Sequence, residues 1–545
     1  MTYADKIFYN GNIYTMNEAA PHAEAMAVSA DRLLFVGSGE DVQPFKGPDT
    51  ECIDLEGKTV IPGIIDSHTH YHWTAKAKKD LALLGKTLPE IQEIVRKRAE
   101  ELPEGSWIVG SGWLNALFPG GAWPDRSVLD EVAPNHPVFL IRACGNSYWA
   151  NTKAFKMAGI DENTPDPNHE ILRRPDGTPS GVLMGWFAQN IAKLIPVYQG
   201  EEYKQMLRET QEAYLKYGIT SISDEGAGAF TAFGTGNGKL TVETLKELYE
   251  EKAIDLRIYM NVAQIQNEYY KEVLAEGPKT GLYDNHFDLR GVKIWADGSQ
   301  GTRTAYVIDG YKDDPENHGK RYYEDAELIR LFKEIDDAGF QTTIHAIGDA
   351  ACKQIIDCYE AAFGAEDTTD RRFKIVHFQL ARPEDVRRFV KHHMIDNTQF
   401  GQYGEDLDFG DVAIGKERFL QSYDWRSILD LGGRIVGSSD SPLDSANPFE
   451  GLYVGVTRKN LAGENRLDPD PKRGALTREE ALRTYTTDAA YGMFQEDLKG
   501  SLEPGKLADF IVISDDYFEC PEDAIKDIQV LRTVIGGKTV WERGL

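Results

Sequence analysis

Two histidines one residue apart, His68 and His70, close the run Val60-Ile61-Pro62-Gly63-Ile64-Ile65-Asp66-Ser67-His68-Thr69-His70. In an extended strand, residues i and i+2 point to the same side. Both imidazoles therefore aim one way from the end of a strand too apolar for a protein surface. That is a metal-ligand pair built on a rigid element. Later apolar runs end alike: Lys293 lies within Gly291-Val292-Lys293-Ile294-Trp295-Ala296-Asp297, and His345 closes Thr342-Thr343-Ile344-His345. His377 closes Lys374-Ile375-Val376-His377, and Asp440 closes Ile435-Val436-Gly437-Ser438-Ser439-Asp440. Each alone reads as an ordinary polar strand end. Together they point to a metal site.

Imidazole and carboxylate suit Zn²⁺ and similar divalent ions. A cationic lysine beside metal would be repelled. Addition of CO₂ to the Lys293 amine gives a carbamate, an anionic ligand able to bridge two ions. One ion is expected, or two if Lys293 is carbamylated, with His345 and His377 holding the second. Paired ions would share a water whose pKa falls towards neutrality, giving a metal-activated hydroxide that attacks a polarised carbonyl. Asp440, a ligand and also the general acid/base, accepts the water's proton and passes it to the leaving amine.

These residues need elements to position them. Candidate strands are 60–66, 219–224, 256–263, 291–296, 341–346, 373–378, 394–399 and 434–439, with helical patterns such as 204–217 and 325–338 between them. Eight β-then-α units in series predict a parallel (β/α)8 barrel with its active site at the carboxyl ends of the strands. The gap from 73 to 205 is then an insertion between the first two strands. It carries Trp73, Trp107, Trp113, Trp123 and Trp149, and also Trp186, and is read as a lid over the barrel mouth. Short strands and Gly/Asp turns fill both ends of the chain. Neither end could bury much core alone, so both are expected to build one β-sandwich. The division is 1–58 and 491–545 for the sandwich and 59–490 for the barrel with its insertion.

A hydrophobic content of 41% is ample for a packed core, and 60 Lys and Arg against 88 Asp and Glu, net −28, argue against nucleic acid as a partner. Cys52, Cys144, Cys352, Cys358 and Cys520 form no C-x-x-C pair, which suits a reducing compartment. The start, Met-Thr-Tyr-Ala-Asp-Lys, does not read as a signal peptide, and no stretch approaches the roughly 20 apolar residues of a membrane span. A cytoplasmic protein acting on a small molecule, with no membrane partner, is expected.

Position suggests further site residues. Asp297 and Arg303 follow the fourth strand, where Arg303 could clamp a substrate carboxylate or pair with a nearby acid. Trp113 and Asn146, in the insertion, could touch substrate. His72 is expected to line the mouth. Asp349 is expected to orient its loop or cap the next helix.

Several stretches together resemble the amidohydrolase superfamily, and within it amidohydrolase family 3, the N-substituted formamide deformylase-like branch. They include Asn10-Gly11-Asn12-Ile13-Tyr14-Thr15-Met16, Pro62 to His70, and Asp297-Gly298-Ser299-Gln300-Gly301-Thr302-Arg303-Thr304-Ala305. Ile344-His345-Ala346-Ile347-Gly348-Asp349-Ala350, Thr484-Tyr485-Thr486-Thr487-Asp488-Ala489-Ala490 and Gly500 to Asp509 complete the set. The resemblance implies a metal-dependent hydrolase of carbon–nitrogen bonds other than peptide bonds, with the first-strand histidines, Lys293, His345, His377 and Asp440 as its metal and catalytic set. Departures from the family pattern at Cys144-Gly145-Asn146, near Gly185, and at Ile375-Val376-His377-Phe378-Gln379 bear on substrate rather than on hydrolysis. The same scaffold also serves deamination and ester or carbamate hydrolysis, and a non-catalytic binding member would keep the fold. Barrels with such sandwiches commonly pair, so a homodimer is expected.

Overall fold

The computed structural model describes residues 3–143, 145–167, 169–229, 237–264, 267–468, 470 and 472–544. Cys144 lies outside them; Cys52, Cys352, Cys358 and Cys520 are free thiols. Eight parallel strands of the nine-stranded central sheet form the barrel: β1 (Ile64–Thr69), β2 (Ile219–Ala227), β3 (Arg257–Ala263), β4 (Phe287–Trp295), β5 (Gln341–Ala346), β6 (Lys374–His377), β7 (Ile395–Thr398) and β8 (Arg434–Gly437). Each pairs in parallel with the next in chain order. Between β8 and β1 the closure is looser. There the Asp440 N–H donates to His68 O at 2.8 Å and the Asn397 amide to Ser67 O at 2.8 Å, which leaves the barrel nearly closed.

The expected strands match this set except at the first. Thr59–Pro62 belongs to the sandwich, where it pairs with Phe510–Ile513, and β1 begins only at Ile64. The chain crosses between them at Gly63, where a Cβ would lie 2.3 Å from Thr220 Oγ1. Every residue of both strands is buried, so the sequence runs on without the alternation that would mark a boundary. Helices cover the barrel. Asp325–Asp337 turns Leu328, Leu331, Phe332 and Ile335 inward, the i, i+3, i+4, i+7 stripe of an amphipathic helix. None of the described helices is long and apolar enough to cross a membrane.

The sandwich has two sheets. The N-terminal part alone supplies Arg32–Gly37, Ala25–Ser29, Lys6–Tyr9 and Glu51–Asp54. The other sheet interleaves both ends of the chain, with Phe510–Ile513, Val530–Ile535 and Lys538–Glu542 beside Thr59–Pro62, Asn12–Tyr14 and His22–Ala23. Phe8 and Phe510 meet edge-on between the sheets, ring centres 4.9 Å apart. The insertion folds as a six-stranded sheet whose two faces bury different side chains. Leu140, Trp149 and Val182 join Trp113 in one cluster; Phe139, Ile141, Tyr148 and Leu183 join Trp73, Ala229 and Ala263 from the barrel ends in another. This is the period of two that a strand imposes. It lays one face of the sheet over the carboxyl end of the barrel.

Barrel and sandwich are tied at the opposite end. Arg257, which opens β3, donates to Asp509 Oδ2 at 2.7 Å and Oδ1 at 3.0 Å, with both side chains almost wholly buried. Burial pushes the Asp509 carboxyl up, but the charge and bonds of Arg257 outweigh it and hold the group below the usual carboxylate range. A depressed folded pKa gives stability that is present above the unfolded value of about 3.9 and is lost as pH falls through the folded one. Asp509→Ala should therefore cost about 3–5 kcal/mol at neutral pH, because it strands a buried guanidinium. The expected readout is a lower Tm at pH 7 with a gap to the wild type that narrows in acid. The paired change Arg257→Met, Asp509→Leu should recover most of the loss; an unchanged Tm in Asp509→Ala would show that the pair is no tie.

Candidate metal centre

β1 delivers His68 from inside the strand and His70 from the residue just before the helix Tyr71–Ala77. Their Nε2 atoms both lie 3.1 Å from Asp440 Oδ1, and all three side chains are buried. No other group of three or more His, Cys, Asp or Glu ligand atoms draws so close together among the described residues. His70 Nδ1 sits 2.5 Å from the Glu225 carbonyl oxygen. A carbonyl only accepts, so Nδ1 carries the proton and Nε2 presents a bare lone pair. The ring is further held by stacking on Trp73, centres 3.7 Å apart.

The ionisation states follow from burial and neighbours. Burial, then Lys293, push His68 well below the ordinary imidazole range. Burial, then His377 and Lys293, do the same to His345, and burial brings His377 down to about 4. At neutral pH these rings are the uncharged form that binds metal. Burial opposes ionisation of Asp440, but its contacts with His68 and His70 outweigh that and keep it well below the usual carboxylate range. An ionised Asp440 needs a donated proton or a positive charge beside Oδ1, and with the His70 proton on Nδ1 a cation there supplies it. The donor set of imidazole and carboxylate fits a divalent metal.

A second pair adjoins this trio. His345 ends β5 and His377 ends β6, with ring centres 4.5 Å apart, and His377 lies 6.0 Å from His68 centre to centre. His345 Nε2 is turned to the Gly298 carbonyl at 3.1 Å, which leaves Nδ1 for another partner. The Nδ1 atoms of His68 and His377 are buried without hydrogen bonds. Lys293, fully buried on β4, has its amine brought down to about 8 by burial, against the opposing pull of Glu225 and Asp440. The backbone at His377, Phe378 and Asp440 is left-handed, with φ of 75°, 44° and 59°. Such conformations cost side-chain-bearing residues about 1–3 kcal/mol each and concentrate at functional sites.

The outer candidates fare differently. Trp113 is fully buried in the insertion's own core and donates Nε1–H to Leu140 O at 3.0 Å, so no surface remains for substrate. Arg303 is spent on Asp313 at 2.5 Å. Asp297 takes the backbone N–H groups of Tyr306, Ile347 and Gly348 at 2.9, 3.0 and 2.8 Å, and burial raises its carboxyl to about 7. It braces loops, and both its oxygens are occupied. Asn146 reaches from the insertion to the loop after β4, donating to Thr304 Oγ1 at 2.9 Å. His72 lines no open surface; it is buried against Asp224, Nδ1 to Oδ2 3.3 Å. Asp349 begins its helix and ties loops through Ile308 N–H and Arg382, both at 2.9 Å.

Three residues were not anticipated. Glu225, fully buried on β2, accepts from Asn261 and Ser223 through Oε1 and leaves Oε2 without a partner. The adjacent acids Asp224-Glu225 at a strand end were its signal. Gln402 donates to Asp440 Oδ2 at 3.0 Å, and nothing in its surroundings in the sequence marks it. Asp66 accepts the N–H and hydroxyl of Ser439 at 3.0 and 2.6 Å and so anchors the residue before Asp440 to β1.

The amidohydrolase family profile matches residues 51–541. The chain is 31% identical to Protein LONG AFTER FAR-RED 3 of Arabidopsis thaliana over 99% of its own length and 92% of that protein's. It is 28% identical to the N-substituted formamide deformylase of Arthrobacter pascens over 99% and 98%. Among solved structures, an uncharacterized metal-dependent hydrolase from Pyrococcus horikoshii aligns with a TM-score of 0.76 at 25% identity, covering 95% of this chain and 99% of that one.

The Asp66 anchor can be tested. Asp66→Ala should leave the protein folded but lower its affinity for zinc about 10–100-fold, as loss of a group that orients ligands does. Calorimetric titration with zinc measures this; full affinity would show that Asp440 holds its place without Asp66.

Proposed function

The chain belongs to the amidohydrolase family, and from that premise we propose that it cleaves a non-peptide carbon–nitrogen bond of amide or formamide type. The observation that carries the reading is the trio of His68, His70 and Asp440, whose buried ligand atoms all lie within 4.8 Å of one another. His68, His70 and Asp440 would hold the metal, with His345 and His377 able to hold a second ion. Zn²⁺ is the best match to these donors, and when bound it supplies a Lewis acid that polarises a carbonyl and lowers the pKa of water. The relative that is named a formamide deformylase supports the choice of bond, because the likeness runs the length of both chains.

The protein's own groups do the rest. The Glu225 carbonyl and the Trp73 ring hold His70 in one tautomer and one orientation. Asp440 is ionised, so it can take a proton from the attacking water and return it to the departing nitrogen. A buried amine brought down to about 8, as in Lys293, exists partly in the neutral form that reacts with CO₂. The new N–C bond and loss of the amine proton would turn it into an anionic ligand. The aromatic face of the insertion sheet covers the barrel end, where it would act as a lid that limits water around the reacting carbonyl.

Dialysis against a chelator should abolish turnover of an N-substituted formamide panel, and added zinc should restore it. Turnover indifferent to chelator would end the metal reading. Bound metal with no turnover on formamides, amides, esters or amines would favour a non-catalytic member. Asp440→Asn should lower kcat about 10²–10⁴-fold, the usual worth of a positioned proton-transfer group. A near-normal rate would remove Asp440 from that role. Lys293→Ala should lose metal that elemental analysis finds in the wild type; unchanged metal content would exclude the carbamate.

A further inference from the structure

Asp440 uses its two oxygens differently. Oδ1 is the atom 3.1 Å from both histidine nitrogens, whereas Oδ2 accepts a hydrogen bond from Gln402 Nε2 at 3.0 Å. Gln402 is itself held, its Oε1 accepting from Gln379 Nε2 at 3.2 Å. An ionised carboxylate can only accept, so Gln402 must turn its nitrogen to Asp440 and its oxygen to Gln379. Gln379 must then present its own nitrogen. The run Gln379 to Gln402 to Asp440 therefore has a single direction.

The fold brings the three together from successive strands. Gln379 follows the left-handed turn at His377 and Phe378, and its carbonyl is fixed by the Tyr423 N–H at 2.8 Å. Gln402 stands on the helix Phe400–Asp406 that follows β7. That helix comes so close to the loop after β8 that a Cβ at Gly401 would fall 2.0 Å from Asp444 Oδ2. Glycine at 401 lets the next residue reach Asp440.

We infer that Gln402, backed by Gln379, is a positioning residue that occupies Oδ2 of Asp440 and so confines the carboxylate to offering Oδ1 to the cation site. A carboxylate free to rotate could offer either oxygen, or both, and would be less well aimed for proton transfer. The inference rests on the metal-hydrolase reading above.

Cobalt(II) is the probe, since its visible bands report the ligand field without any need for turnover. Gln402→Met keeps the volume and removes the donor. It should remain folded, shift the cobalt bands, and weaken cobalt affinity about 10–100-fold. On a substrate that the wild type turns over, kcat should fall while KM stays within about threefold, the pattern of a lost transition-state interaction. Gln379→Met should act in the same direction but less, and the double variant should be no worse than Gln402→Met alone, because one acts through the other. Unchanged bands and affinity in Gln402→Met would overturn the inference. So would a loss confined to KM, which would put Gln402 on the substrate, or an additive double variant, which would break the chain from Gln379. A wild type with no cobalt bands at all would sink the metal reading and this inference with it.

Discussion

Two imidazole nitrogens are held 3.1 Å from one carboxylate oxygen at the centre of this protein. Left to relax, such a buried cluster would rearrange. The surroundings resist that at two of the three groups. His70 has its proton committed to the Glu225 carbonyl and its ring pressed on Trp73, while Asp440 has its other oxygen committed to Gln402. A buried carboxylate is expensive unless donors or an ion compensate its charge. Much of the rest of the structure serves to keep that arrangement from collapsing.

The barrel does this by closing on the candidate ligands themselves. Where β8 should pair with β1, the links are Asp440 N–H to His68 O and Ser439 to Asp66, so the seam of the barrel and the heart of the site are one place. A slip of the seam would displace a histidine and the carboxylate together. The left-handed backbone at His377 and Asp440 fits the same account, since each side chain leaves its strand by a conformation that only surrounding structure can enforce.

How much of this the sequence disclosed depended on the kind of signal. His68, His70, His345, His377 and Asp440 were legible because each ends an apolar run, and parallel barrels gather their strand ends on one rim. The boundary at Gly63 was not, because Thr59–Pro62 and β1 are both buried on both faces and leave no change of period. Trp113 misled for a related reason: an aromatic residue in an insertion suits a substrate wall and a private core equally, and only the packing of Trp149 and Phe118 around it decides. Arg303 pairs with a nearby acid, one of its two expected fates, but that the acid is Asp313 depends on the path of a loop that no local pattern predicts. Gln402 was silent because a glutamine on a short helix carries no periodic mark, and its meaning comes wholly from what lies across the barrel mouth.

The two attachments divide the labour of the barrel's ends. The end bearing the histidines must stay polar and reachable, so it cannot be sealed by core packing; the insertion sheet covers it with the face that carries Phe139, Ile141 and Tyr148. At the other end nothing has to enter, and several buried polar groups there pair across the joint with the sandwich. Arg257 is matched by Asp509, Asp288 accepts from Gln495 at 2.8 Å, and Lys499 donates to Ser221, burial having brought its amine down to about 7. Arg257, Asp288 and Ser221 lie on barrel strands, whereas Asp509, Gln495 and Lys499 come from the C-terminal stretch around the sandwich. The chain's last segment thus locks the floor of the barrel with buried polar contacts. A rigid floor lets the rim hold ligands in positions they would not adopt alone, which is the usual split in such barrels between stability at one face and chemistry at the other.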